Sequence, residues 1–273
     1  MTRLAPARRL LGVGRALGGY LGLAVVLGVI FVLIVSGVLP ARRWAPFGDG
    51  RVWLFLLEGL WVTVQIGATA LVASLILAVP LAVGRIALPP AVRWVVVGWV
   101  ELVRATPVLA LILGITLFMP RGLLEPMWSA TLALTIYTSA VLAEILRAGI
   151  LSIPKGEVDA ARSLGLSYAK TMRLVVLPQA FLRMMPALVS QMITLIKDTS
   201  LASIAAVSEL AGFARSTHSF YGNPAETYFL VACMYFVINY TLSRIARRLE
   251  LRRAEEPPVA VPGGLDEAPV ATA

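Results

Sequence analysis

The chain has 273 residues, 59% of them apolar, with a formal net charge of +9 and a mean hydropathy of +0.84. A soluble core of this length cannot hide that much apolar surface, so lipid must solvate much of it. The basic residues lie mostly in short loops beside apolar runs, which speaks for membrane topology and against a nucleic-acid binder; a single cysteine (Cys233) and a single histidine (His218) leave no disulfide framework within the chain and argue against Cys- or His-based metal sites.

In chain order, residues 1–17 are a basic N-terminus carrying Arg3, Arg8, Arg9 and Arg15. The uncharged run that follows is longer than the roughly 7–15 apolar residues of a signal peptide, and no small-x-small cleavage site follows it closely. It predicts a retained membrane helix over 18–39. About 20 apolar residues cross the hydrocarbon core as a helix, and this length criterion predicts further spans over 58–84, 94–119, 127–148, 187–211 and 225–246. The third carries Glu101 and Arg104, the fourth Glu144 and Arg147, and the fifth Lys197, Asp198 and Glu209. Thr106-Pro107, within the third, has the form of a helix start, with Thr as N-cap and Pro in the first turn. His218 reads as a solvated loop residue and Cys233 as a small core or lipid-facing one. The tail, 254–273, is rich in Pro and small residues without periodicity and reads as disordered. The expected fold is therefore an all-α integral membrane protein of about six transmembrane helices, without internal repeats.

Charge sets the orientation. With both termini cytoplasmic, seventeen of the 24 basic residues fall inside, Arg85 among them as a loop residue; five fall outside, and Arg104 and Lys197 lie within spans. That asymmetry follows the positive-inside tendency. It puts the polar segment Glu157–Pro178 in the cytoplasm.

This segment is built as a docking element. Ile153-Pro154 stops the preceding helix, because proline lacks the amide donor and clashes with the turn before it. A short helix over about 156–164 follows, then a sharp turn at Gly165. Ser167 caps a second helix expected to run to Leu177 and end near Pro178. Ala160 and Ala161 are small enough for a partner surface to approach closely, and Glu157 with Asp159 forms an acidic edge. An ordinary interfacial amphipathic helix would show a similar pattern.

The intramembrane charges carry the substrate argument. An ionisable group at the bilayer centre costs about 2.5–3.5 kcal/mol on translocon scales, so such groups pair or line a cavity. Glu101 with Arg104, and Glu144 with Arg147, stand three apart and can meet on one helix face; bridges holding helices in register are the structural alternative to a substrate site. Lys197 and Asp198 are adjacent and diverge. A helix restarted inside the membrane at Thr106-Pro107 aims its positive end at a cavity, which suits a carboxylate. Candidate substrate residues are Arg104, Thr106, Glu144, Lys197 and Asp198.

Asp159-Ala160-Ala161, Gly165, Val175 and Leu177-Pro178 have the spacing of the cytoplasmic E-A-A loop of ABC importer permeases, with Asp for Glu and Val for Ile. Ala143 to Ile150 and Ser152 to Gly156 resemble the A-E-I-x-R-G-G-I-x-S-I-P-K-G run of the polar amino-acid branch, with Ala148 for a glycine. Leu177-Pro178-Gln179-Ala180, Lys197-Asp198-Thr199-Ser200-Leu201 and Val103-Arg104-Ala105-Thr106-Pro107 match further signatures; in the last, Val and Ala replace Phe and Gly. The likeness covers about 57–248. It implies a type I permease fold at 57–248 with a cytoplasmic coupling loop at 150–185, the span at 18–39 being additional. It also implies a bacterial inner-membrane location and partners: an ABC ATPase dimer that binds ATP and Mg, a second permease subunit (the same chain or a different one), and an extracytoplasmic amino-acid-binding protein. The coupling residues it points to are Glu157, Asp159, Ala160, Ala161, Gly165 and Pro178. GxxxxGK[ST] is absent from the chain, so no phosphate cradle of that type exists here, and no cofactor is expected in this chain.

The implied function is permease of a polar amino-acid importer, with glutamate, aspartate or glutamine leading and basic amino acids as the alternative. An ion-coupled carrier would need no docking loop. An intramembrane enzyme would rest on a Ser200–Lys197 pair.

Overall fold

The computed structural model describes residue 37, residues 40–120 and residues 122–254, for 246–254 the backbone alone. The predicted helix at 18–39 and the tail beyond Ala254 lie outside the described residues. Among those residues every element is helical. A 3₁₀ helix, Ala41–Gly48, precedes α1 (Gly50–Ala87). There follow α2 (Pro90–Ala105), α3 (Val108–Phe118), α4 (Pro126–Leu151) and α5 (Lys155–Ser163). A continuous helix α6 (Tyr168–Ala205), then α7 (Leu210–Tyr221) and α8 (Pro224–Ala254), completes the described residues. Among the described residues four helices are long and apolar enough to span a membrane (α1, α4, α6, and α8 as far as Ile245), and the bent pair α2–α3 forms a fifth candidate.

Three expectations change. The predicted span 94–119 is two helices meeting at 99°. The cause is local: Pro107 bars the α conformation at the residue before it, and Thr106 is extended with ψ 129°. The predicted span 187–211 ends at Ala205, and its helix begins at Tyr168, so it does not stop at Pro178. A π-helical turn at Met172–Val176 widens the ladder where the proline ring would meet the carbonyl four residues back, and Pro178 sits in the first turn of the α segment that follows. At the far end Ala206 takes the left-handed conformation (φ 61°), with Val207 N donating to Ala202 O and Ala206 N to Ser203 O; this is a Schellman close without its usual glycine. Finally, α1 starts at Gly50, well before residue 58, where Arg51 N donates to Asp49 Oδ1 at 2.8 Å.

The chain divides into two compact units. In the first, residues 40–63 and 208–234, Phe55 packs against Phe213 with ring centroids 4.4 Å apart and planes tilted by 51°, and Gly59 lies so close that an added Cβ would stand 2.8 Å from the Phe213 ring. Glu209, expected inside the fifth span, is the buried N-cap of α7: its Oε1 accepts from Gly212 N at 3.0 Å and its Oε2 from Thr63 Oγ1 at 3.2 Å. His218 is on α7, with its ring 5.2 Å from Tyr228, and not in a loop.

In the second unit, residues 64–207 and 235–254, α4 is the central helix. Its apolar window is 61% buried, against at most 33% for the other spans. Small residues do this: Ser129, Ala130, Ala133, Ser139, Ala140 and Ala143 let neighbours approach closely. Ala78, Ala82, Leu142 and Ala143 form one apolar cluster, and Val100, Val103 and Ala140 another. Hydroxyls are satisfied mostly inside their own helices, as Thr131 Oγ1 to Met127 O at 2.7 Å, while Ser74 Oγ reaches across from α1 to Thr135 O at 3.2 Å. Trp94, Leu102 and Phe118 point outward, as lipid-facing residues do.

Candidate functional site

The polar segment around α5 is assembled by helix stops. Ser152 closes α4, its N–H donating to Ala148 O at 3.0 Å and its Oγ to Gly149 O at 2.7 Å. Pro154 then precedes α5. Helix α5 closes in a Schellman motif: Leu166 N donates to Ala161 O (3.2 Å), Gly165 N to Arg162 O (2.9 Å), and Gly165 has φ 78°. Ser167 Oγ accepts from Lys170 N, as expected of an N-cap. Across the turn, Arg162 lies over the Tyr168 ring at 5.8 Å.

This geometry sorts the expected coupling residues. Asp159 and Ala160 are exposed on α5. Ala161 is buried, so its small size serves the chain's own packing. Glu157 accepts from Gln179 Nε2 on α6 at 3.3 Å, and Arg183 Nη1 donates to Ser152 O at 2.5 Å. Beneath them Ile153, Val176, Ala180 and Met184 form an apolar floor. Thus α5 meets α6 through the Glu157–Gln179 contact and through Val158 against the apolar cluster, while Arg183 ties α6 to the end of α4. Leu164 at the C-cap is 83% exposed; sequence reasoning passed over it, though an apolar residue just before the turn glycine and off the helix's buried face was the signal.

The charged residues form a network. Arg104 Nη1 lies 3.4 and 3.5 Å from the two Glu101 oxygens. Arg147 grips Glu144 with contacts of 2.5 to 3.2 Å. Both i,i+3 pairs thus exist, and Arg85, in the last turn of α1, joins them: its guanidinium is 3.1 Å from Glu101 Oε1 and 2.8 Å from Glu144 Oε2. Arg85 lies in a helix with its side chain largely covered, and not in a loop. Helices α1, α2 and α4 are held together here by charge-assisted contacts.

Thr106 does not cap α3; its Oγ1 donates back to Leu102 O at 2.9 Å. The free first-turn amides of α3 follow directly on Pro107. Lys197 is exposed, Asp198 half-buried, and neither takes part in an ion pair among the described residues. The structure therefore brings Arg104 and Glu144 into one network and leaves Lys197 and Asp198 outside it. Ser200 Oγ donates to the Lys197 carbonyl at 2.7 Å, so that hydroxyl is turned to backbone and not to the ammonium. No cluster of metal ligands occurs among the described residues.

Residues 70–255 match the family described as "Binding-protein-dependent transport system inner membrane component". The chain is 41% identical over 207 residues to the probable glutamine ABC transporter permease protein GlnP of Bacillus subtilis (strain 168), covering 73% of this chain and 94% of that protein. It is 35% identical over 221 residues to the glutamate transport system permease protein GluD of Corynebacterium glutamicum, covering 79% and 81%. Among solved structures it is similar to a crystal structure of an amino acid ABC transporter with histidines, with a TM-score of 0.69 and 29% identity over 74% of this chain and 95% of that one.

Proposed function

The chain belongs to the family of binding-protein-dependent transport system inner membrane components, and we propose that it is the permease subunit of an ATP-driven importer of polar amino acids, taking glutamate, aspartate or glutamine. Its fold is that of type I importer permeases. The observation that carries the reading is α5: a short helix with exposed Asp159 and Ala160 and with Leu164 exposed at its C-cap, joined to a membrane helix by Glu157 and Gln179 beside the Arg183–Ser152 contact. A helix so presented takes up motion from a partner and hands it to the membrane domain. A separate ATPase dimer, which binds ATP and Mg, docks there through Glu157, Asp159, Ala160, Leu164 and the Gly165 turn. A second permease subunit completes the pathway, and an extracytoplasmic binding protein delivers substrate. Both termini are cytoplasmic. Closure of the ATPase dimer then shifts the balance between outward-open and inward-open arrangements.

Arg104, Lys197 and the restarted helix at Thr106-Pro107 supply positive charge for a substrate carboxylate, and Glu144 and Asp198 stand as the acids near the path. The glutamine and glutamate permeases among its relatives support this substrate class. The test is uptake of labelled glutamate by vesicles carrying this chain with its ATPase, second permease and binding protein. Saturable, ATP-dependent glutamate uptake displaced by glutamine or aspartate is expected. Displacement by arginine alone would assign the importer to basic amino acids, and uptake persisting with a disabled ATPase would make it a carrier.

A further inference from the structure

Arg85 is the residue on which the charged network turns. Its side chain is 9% exposed, against 37% for Arg104 and 31% for Arg147. From the end of α1 it reaches one carboxylate on α2 and one on α4. Glu144 is thereby held from both sides, by Arg85 and by Arg147. Glu101 shares Oε1 between Arg85 at 3.1 Å and Arg104 at 3.4 Å. The contacts of Arg104 are the longest in the network and its guanidinium is the most exposed of the three. Three guanidiniums face two carboxylates, so one positive charge is unmatched, and it is most available at Arg104.

The geometry points to Arg85 as a specificity-determining positioning residue. By occupying Glu101 and Glu144 it withholds both acids from a cationic substrate, and it leaves Arg104 able to exchange its loose contact for a substrate carboxylate. This rests on the reading of Arg104 as a substrate group given above. Arg85 itself is enclosed by its two partners. Without Arg85 the count becomes two against two: Glu101 closes fully on Arg104, a bidentate pair within one helix turn, and no surplus positive charge remains. Preference between anionic and cationic amino acids then shifts, although no group offered to the substrate has been changed.

The test uses the purified complex of permease and ATPase subunits without the binding protein, so that selectivity belongs to the membrane domain. Binding of L-glutamate and of L-arginine is measured by titration. In Arg85→Met the ratio of glutamate to arginine affinity should fall about tenfold, the worth of one charge-assisted contact. Adding Glu101→Gln should restore glutamate binding, because it releases Arg104. An assembled Arg85→Met complex with an unchanged ratio overturns the proposal. Where Arg85→Met does not assemble because the contacts from α1 to α2 and α4 are lost, Arg85→Met with Glu101→Gln decides alone: glutamate binding at the wild-type level supports the proposal and its loss overturns it. Failure of the underlying reading shows differently, as absence of glutamate binding in the wild-type complex or as full binding in Arg104→Gln.

Discussion

Arg183, on α6, donates from Nη1 to the backbone carbonyl of Ser152, the residue that closes α4, at 2.5 Å. With Gln179 holding Glu157 and the cluster of Ile153, Val176, Ala180 and Met184 between them, this contact makes the end of α4, helix α5 and the first half of α6 one mechanical piece. A push on α5 reaches α6 directly, and α6 carries Lys197 and Asp198 near its other end.

Arg183→Met should keep the apolar floor and remove the polar clamp. The complex should assemble and hydrolyse ATP, while substrate moved per ATP falls severalfold. Uptake and hydrolysis measured together in proteoliposomes check this; an unchanged ratio of the two would show that the clamp carries no motion.

Gly165 has φ 78°, and nothing lies within 4 Å of where a Cβ would stand. Any penalty there is a backbone penalty, about 1–2 kcal/mol for an L-residue in the left-handed region and more for a β-branched one. Gly165→Val should weaken ATPase co-purification while the permease still inserts. Gly165→Asn, which tolerates that conformation, should be nearly normal. Equal behaviour of the two variants would remove the turn from the docking account.

Ala206 is exposed and left-handed with φ 61°. Ala206→Gly should relieve that strain. Set against the added freedom of glycine in the unfolded chain, the net gain should be up to about 1 kcal/mol. Thermal unfolding in detergent reads it, and a lowered midpoint would refute the prediction.

Lys197 is exposed and has no ion-pair partner among the described residues, so Lys197→Met strands no buried acid. The yield of folded complex should be unchanged while uptake is lost. Arg104→Gln should also lose uptake, and Glu101→Gln should not rescue it, whereas a bridge serving only helix register would be partly rescued. Full uptake in both Lys197→Met and Arg104→Gln would remove these residues from the substrate path.

Much was legible because it is local. Apolar length marked the spans, and Thr106-Pro107 announced a helix start within the third, since proline acts on the residue directly before it, but not the 99° bend there. Pro154 and Gly165 marked the edges of α5 and Ser167 the start of α6 for the same reason, and the i,i+3 spacing of Glu101–Arg104 and Glu144–Arg147 needs only a helix to bring each pair together. What was missed depends on distant packing. Helix α6 passes Pro178 because a π turn absorbs the ring; Ala206 ends that helix where no glycine signals a stop; Glu209 leaves the span to cap α7 against Thr63. Arg85 read as one more basic residue in a cytoplasmic loop, because nothing near it in sequence carries its partners. By itself the sequence determined the apolar spans, the local turns at Pro154 and Gly165 and the short-range ion pairs, which arise within a turn or two of chain. Only the tertiary structure decided that Arg85 joins those pairs into one network, because that requires α1, α2 and α4 to pack side by side.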